Sequence, residues 1–364
     1  WGPAAIDQAR GSNCTERLLG DNGCCKQETQ ETKDEYSCDE VQDSLQMLIR
    51  VGTTLILYNF FSFQLSRNLN MSLLRLQHIG IVVKNLKDTC ERFEVLYGLK
   101  SCDFRDDQGK GMQYDARILL GNECWLHLVQ NWDERARVNK FLHQRGEGLE
   151  HIAIETDDIE GDVMHLREIG VPIFEDRIFP ANDGYEAFVF PDQLPGLTVE
   201  LIQENETSWV YPAEALGKPI SETLKIVGLQ HLGLAVNDVR HSCERFEHLF
   251  GLEARDIQMD DSTGAGSGAL CEARIPFNNE CWLHLVHDQD ESPAGEFLCQ
   301  RGEGLDHLSL QTKDLDADVK RLSQLGLPFY GGGIIESEEG RSAIVYPDQL
   351  AGITVELVQP YAAD

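Results

Sequence analysis

The sequence predicts an α+β fold: two tandem copies of one domain, each made of two βαβββ modules whose sheet curls into a partly open barrel. Three observations lead there. The chain repeats itself at a period of about 155 residues. Each copy holds short apolar runs with the two-residue period of strands, interrupted by two segments of helical spacing that end on glycine. The same order of elements occurs in both halves of a copy, so the strands can pair into a sheet backed by helices around a cavity.

The repeat is carried by long matching strings. LQHIGIVV from Leu76 returns as LQHLGLAV from Leu229, and CERFE from Cys90 returns from Cys243. NECWLHLV starts at both Asn122 and Asn279, QRGEGLEHIAI from Gln144 matches QRGEGLDHLSL from Gln300, and PDQLPGLTVELIQ from Pro191 matches PDQLAGITVELVQ from Pro347. In the first copy a run ending at Val82 and Val83 reads as a strand. Residues 85–96 space Leu86, Cys90, Phe93 and Leu96 as one helical face, which Gly98 stops. Strands follow at 114–120 and 125–129. Gly146 and Gly148 then mark a turn that needs φ > 0, not a phosphate cradle, because no Gly-Lys-Ser/Thr follows. The second half repeats the scheme: strand 151–154, helix 159–169 stopped by Gly170, and strands at 187–190 and 198–202. The expected domains are 74–204 and 225–360, with a linker at 205–224 and an extension at 1–73. That extension holds Cys14, Cys24, Cys25 and Cys38 among acidic residues, and an uncharged stretch at 51–65 too short to span a bilayer. It reads as a targeting or amphipathic segment, or as sequence preceding a true start at Met71.

Composition excludes several function classes. Asp and Glu number 62 against 31 Lys and Arg, a net charge of −31. Such a field repels polyanions, which argues against nucleic acid and anionic membranes and disfavours phosphate-rich ligands. No run of 18 apolar residues is present, so no membrane-spanning segment is expected, and an intracellular site in cytoplasm or organelle fits. The eleven cysteines include no CxxC pair. Cys90 with Cys243 and Cys124 with Cys281 recur on helix and strand, the pattern of buried free thiols in a reducing compartment.

Of the eleven histidines, three recur: His78 with His231, His127 with His284, and His151 with His307. His143, His165, His241, His248 and His287 have no histidine counterpart. The recurring ones sit on strands: His78 alternates with Gly80 and Val82 on one face while Ile79 and Ile81 take the other, and His127 alternates with Trp125 and Val129. A lone strand histidine is ordinarily a hydrogen-bonded core residue. Three that recur, joined by Glu200 and Glu356 in TVELIQ and TVELVQ, reverse that reading, because an imidazole or carboxylate in an apolar strand is costly unless partnered. A divalent metal supplies such a partner. Three imidazoles and one carboxylate suit Fe, Mn, Co, Ni or Zn better than Ca or Mg, and two ions per chain are expected.

At these residues the chain resembles the vicinal-oxygen-chelate superfamily, which includes glyoxalase I, methylmalonyl-CoA epimerase and extradiol dioxygenases. The resemblance covers both copies and is greatest to the epimerases, through FLHQRGEGLEHIAIETDDI from Phe141 and VELIQ from Val199. It implies the ligand sets His78, His127, His151, Glu200 and His231, His284, His307, Glu356, with His127 and His284 in place of the family's usual Glu or Gln. Residues 110–113 lack the carboxylate that the epimerases carry there, and Val82 and Ala235 stand where glyoxalase I has an arginine. The resemblance implies a metal-dependent isomerase or lyase that stabilises an enolate or oxyanion beside a carbonyl or thioester, with Glu200 and Glu356 as ligands and bases. Alternatives are a lactoylglutathione-lyase type of reaction, an Fe(II) extradiol-type dioxygenase using His78, His151 and Glu200, and a non-catalytic ligand-binding protein. A small-molecule substrate is expected in each case. The sites close within each repeat or exchange halves between repeats, and the tandem fusion acts as a pseudo-dimer in one chain.

Overall fold

The computed structural model describes residues 71–106, 113–181, 184–205, 220–221, 223–259, 270–288, 292–337 and 340–361. The expectations placed on residues 1–70 and on most of the linker lie outside the described residues.

In the first repeat the elements run β1 (Leu73–Val82), α1 (Leu86–Tyr97), β2 (Ser101–Asp106), β3 (Gln113–Gly121), β4 (Cys124–Asn131), α2 (Arg137–Arg145), β5 (Gly148–Thr156), α3 (Ile159–Glu168), β6 (Phe179–Ala181), β7 (Gly184–Val189) and β8 (Thr198–Glu204). The second repeat gives β9 (Ile226–Ala235), α4 (Val239–Phe250), β10 (Arg255–Met259), β11 (Leu270–Pro276), β12 (Trp282–Val286), α5 (Pro293–Arg301), β13 (Gly304–Thr312), α6 (Leu315–Gln324), β14 (Ile335–Glu336), β15 (Gly340–Val345) and β16 (Thr354–Pro360). The strands form two eight-stranded sheets, ordered β2-β3-β4-β1-β5-β8-β7-β6 and β10-β11-β12-β9-β13-β16-β15-β14. The fold is α+β, two tandem domains with curled sheets, as the sequence predicts.

Local chemistry sets the element ends. The Asn85, Asp158, Asp238 and Asp314 side chains accept from backbone N–H groups in the first turns of α1, α3, α4 and α6. Gly98 and Gly251 end α1 and α4 in the left-handed region, at φ 69° and 67°, where a Cβ is costly. Helices α1 and α4 bury Phe93, Tyr97 and Phe246 completely, each worth about 1.5–3 kcal/mol of transfer free energy.

Within a sheet, the first strands of the two modules lie side by side and antiparallel, β1 against β5 and β9 against β13. The last strand of each module runs parallel to its first: β4 beside β1, β8 beside β5, β12 beside β9 and β16 beside β13. Four central strands therefore share one concave face. Ile79 and Ile81 point away from it into the core, whereas Val82 and Val129 belong to a smaller cluster with Val138 under α2. That division is the alternation read from the sequence.

One hydrophobic cluster runs through both repeats, and side chains cross the seam to backbone carbonyls in reciprocal pairs. Arg145 Nη2 donates to Glu303 O at 2.6 Å and Arg301 Nη1 to Glu147 O at 3.0 Å. Asn122 Nδ2 reaches Leu229 O and Asn279 Nδ2 reaches Leu76 O. The Arg-Gly-Glu-Gly turns do more than reverse the chain: the Glu147 and Glu303 carboxylates accept from the Lys84 and Asn237 N–H groups beyond β1 and β9. Cys90, Cys124, Cys243 and Cys281 are free thiols, as expected. No helix among the described residues is long and apolar enough to cross a membrane.

Candidate metal centres

The sheet arranges the singled-out residues as a checkerboard. Gly80 on β1 is paired with His127 of β4 on one side and with His151 of β5 on the other. Ala153 on β5 is paired with His78 of β1 and with Glu200 of β8. Large polar side chains thus alternate with small residues, which leaves room for rings to lean together over the sheet. A Cβ on Gly80 would lie 1.9 Å from His151 Cε1, and one on Gly233 would lie 2.0 Å from His307 Nδ1. These two glycines are spaces cut for imidazoles.

The result is convergence within each repeat. His78 Nε2 lies 3.2 Å from His151 Nε2, and Glu200 Oε2 lies 3.5 Å from the first and 3.2 Å from the second. His127 completes a three-histidine group whose ligand atoms all fall within 4.8 Å of one another, as do those of His231, His284 and His307. Glu356 Oε2 is 3.5 Å from His231 Nε2. The halves are not exchanged between repeats: all four first-site residues stand on the first sheet, and all four second-site residues on the second.

Hydrogen bonds fix which ring nitrogens face inward. Gln77 Nε2 donates to Glu204, so its Oε1 accepts from His78 Nδ1 at 2.8 Å. Glu150 Oε2 accepts from His151 Nδ1 at 2.7 Å. Gln230 and Asp306 do the same for His231 and His307, both at 3.0 Å. With Nδ1 carrying the proton, each neutral ring would aim an Nε2 lone pair at another lone pair and at a carboxylate oxygen. That crowding of acceptors is relieved by an extra proton on one ring or by a cation in its place. Nitrogens 3.2 Å apart match two ligands sitting about 2.0–2.1 Å from one ion, at an angle of roughly 100°. The acid or amide behind each imidazole is the orienting partner that metal-bound histidines require.

Without a cation the protons settle unevenly. Burial pushes His78 down to about 4 and His231 well below the usual histidine range. His151 is buried too, but hydrogen bonds to Glu150 and Glu200 overcome that cost and hold it up at about 9. His307 is likewise raised to about 9, against burial, by Asp306 and Glu356. Burial opposes the charge on Glu150, yet Arg137 and His151 hold it down at about 2. Glu200, despite burial, is held well below the carboxylate range by His151 and His78.

Several participants escape the sequence reading. Asp115 Oδ2 lies 3.1 Å from His127 Nε2, and Glu272 Oε2 lies 3.0 Å from His284 Nε2. Both stand in an acid-Ala-Arg string on β3 and β11, so recurrence could have found them. Glu150 and Asp306 also recur, each directly before a ligand histidine. Glu186 on β7 has no such signal, since Ser342 occupies the matching position of β15. It lines the first cavity, about 250 Å³, together with His78, Trp125, Arg137, Phe188 and Glu200. Burial and the neighbouring Glu200 push its carboxyl up to about 8. In the second repeat Ser309 replaces Ala153 and donates to Glu356 at 2.7 Å.

Comparison with known proteins agrees with this architecture. A family model described as the glyoxalase/bleomycin resistance protein/dioxygenase superfamily matches residues 77–190 and again 230–346. A curated relative, the uncharacterised protein YqjC of Bacillus subtilis, is 29% identical over 132 residues, 35% of this chain and 91% of its own. A solved triple mutant of 4-hydroxymandelate synthase from Streptomyces coelicolor superposes with a TM-score of 0.58 at 14% identity, over 81% of this chain and 94% of its own. At that identity it shares the fold. A Streptomyces coelicolor methylmalonyl-CoA epimerase structure is 27% identical, covering 38% of this chain and 99% of its own, with a TM-score of 0.35.

Proposed function

We propose that this chain, which belongs to the glyoxalase/bleomycin resistance protein/dioxygenase superfamily, is a metal-dependent isomerase or lyase acting on a carbon next to a carbonyl or thioester. The observation that carries the reading is the convergence of the His78 and His151 Nε2 lone pairs on Glu200, repeated at His231, His307 and Glu356. His78, His127, His151 and Glu200 would hold one divalent ion, and His231, His284, His307 and Glu356 a second. Three imidazoles and a carboxylate favour Fe, Mn, Co, Ni or Zn. When bound, the ion supplies Lewis acidity toward substrate oxygen.

The chain's own residues do the rest. Gln77 and Glu150 hold the His78 and His151 rings in the tautomer that offers Nε2. Glu200 is the anionic ligand. Glu186, partly buried beside it in the same cavity, is a second carboxyl placed to give and take a proton at the substrate carbon. Trp125, Phe188 and Val129 line the cavity and exclude water around that transfer.

Metal analysis of the purified chain is expected to give two ions, falling to one in His78→Ala. Turnover is expected on a panel of thioesters and hemithioacetals, and loss of it in Glu200→Gln with Glu356→Gln. Unchanged turnover in that double variant removes the assignment. A second reading, an Fe(II) dioxygenase, is favoured by one observation: Glu200 Oε2 lies 3.5 Å from His78 Nε2 and 3.2 Å from His151 Nε2, a two-histidine, one-carboxylate set by itself. Iron as the native metal, with oxygen consumed during turnover, selects it.

A further inference from the structure

We infer that Arg137 makes the first cavity, and not the second, a receptor for a small anionic oxygen chelator: a molecule carrying a carboxylate beside a carbonyl or hydroxyl oxygen. This rests on the metal reading above and names the substrate class for one of its two centres.

Arg137 opens α2 and turns its side chain into the cavity that His78, His151 and Glu200 share. Its guanidinium is clamped from two directions. Nη1 donates to Glu150 Oε1, and Cζ lies over the Phe188 ring, 4.6 Å from the centroid. Among the described residues, Glu150 is its hydrogen-bond acceptor, which leaves Nε and Nη2 to a ligand. The side chain is 22% exposed, screened enough for a charge-assisted bond to hold and open enough to be reached. A guanidinium with its plane fixed presents a fork that fits the two oxygens of a carboxylate. The chain as a whole carries −31, a field that discourages anions. Anion capture here therefore needs a local cation, and a metal with Arg137 beside it provides two.

The second repeat lacks the device. Pro293, with neither charge nor N–H, stands at the first position of α5, where α2 has Arg137. Ser342 and Ile344 replace Glu186 and Phe188. Arg274 stands near the second centre, over the Trp282 ring that stacks on His231, and Arg301 lines a separate cavity of about 80 Å³ in that repeat and donates across the seam to Glu147 O. Their counterparts Arg117 and Arg145 are present in the first repeat as well, so neither makes the two centres differ in this way.

The test uses the full chain loaded with Co²⁺, its metal content measured first. The probes are pyruvate and pyruvamide, which share vicinal oxygens and differ by a charged carboxylate in place of a neutral carboxamide. The first centre is isolated in a His231→Ala, His307→Ala background and the second in a His78→Ala, His151→Ala background, with binding read from the cobalt visible spectrum. Co²⁺ favours a carboxylate at either centre, so the pyruvate preference should be larger at the first centre than at the second by about tenfold or more. Arg137→Met should remove that excess by weakening pyruvate alone. Arg137→Lys should keep part of it, since it retains charge but not the fork, and Pro293→Arg should confer some of it on the second centre. Equal preference at both centres overturns the inference, as does Arg137→Met weakening both probes alike, which would make Arg137 a support for Glu150 and His151. A wild-type chain that takes up no cobalt overturns the metal reading itself and is recognised before any probe is added.

Discussion

His151 illustrates how single residues set the behaviour of the site. Its proton is held up to about 9 by Glu150 and Glu200 against burial, and His307 has a similar value from Asp306 and Glu356. A metal must displace that proton, so affinity is expected to rise by roughly tenfold per pH unit from neutrality up to about 9 and then level off. Competition against a chelator from pH 6 to 10 measures the slope; a flat profile contradicts the assignment of these rings as ligands. The sign for the metal-free protein runs the other way. Raised histidine values add stability that is complete below about 6.5 and lost as pH climbs through about 9, so urea midpoints of stripped protein should fall over that interval. At this scale the sequence was informative wherever both copies kept a polar residue in an apolar strand, as at His78 and Glu200. Asp115 and Glu272 also recur, but an acid beside an arginine on a strand has the look of a solvated face. Glu186 and Arg137 differ between the copies, so a filter built on recurrence discards them.

Elements explain why the ligands meet. Four adjacent strands bring one residue each to one patch of the sheet, on two neighbouring levels, and the gap at Gly80 admits the His151 ring. Gly80→Ala is expected to empty the first centre while the second keeps its ion, and to destabilise the fold by about 1–3 kcal/mol, the usual range for overpacking. Metal stoichiometry and thermal unfolding check both, and Gly233→Ala should do the converse. Strands with clean alternation, such as β1 and β8, were readable to within a few residues of their observed ends. Helix α2 and strand β2 were not. The string RVNKFLHQR buries little beyond Val138 and Asn139, and its cap residue Ala136 makes no side-chain bond. The string SCDFRD places charges where an alternating strand would have apolar residues.

For the molecule as a whole, the seam between repeats matters most. Gly196 sits at φ 66°, and a Cβ there would lie 1.9 Å from Glu303 O in the other repeat. Gly196→Ala is therefore expected to lower stability, as is Arg145→Ala combined with Arg301→Ala, the latter by roughly 1–3 kcal/mol. Two ions per chain should be retained in both, because each centre is built inside its own sheet; metal content alongside denaturant unfolding reads the two effects apart. The tandem arrangement was legible from the 155-residue period (approximately), but the seam was not, since a sequence gives Arg145 no indication of which carbonyl it will find. That seam has a consequence for heredity. In a pair of identical chains every codon change reaches both pockets at once, so neither can specialise without the other. Here each pocket is written in its own stretch of gene, and one can drift or acquire a new task while its twin stays as it was.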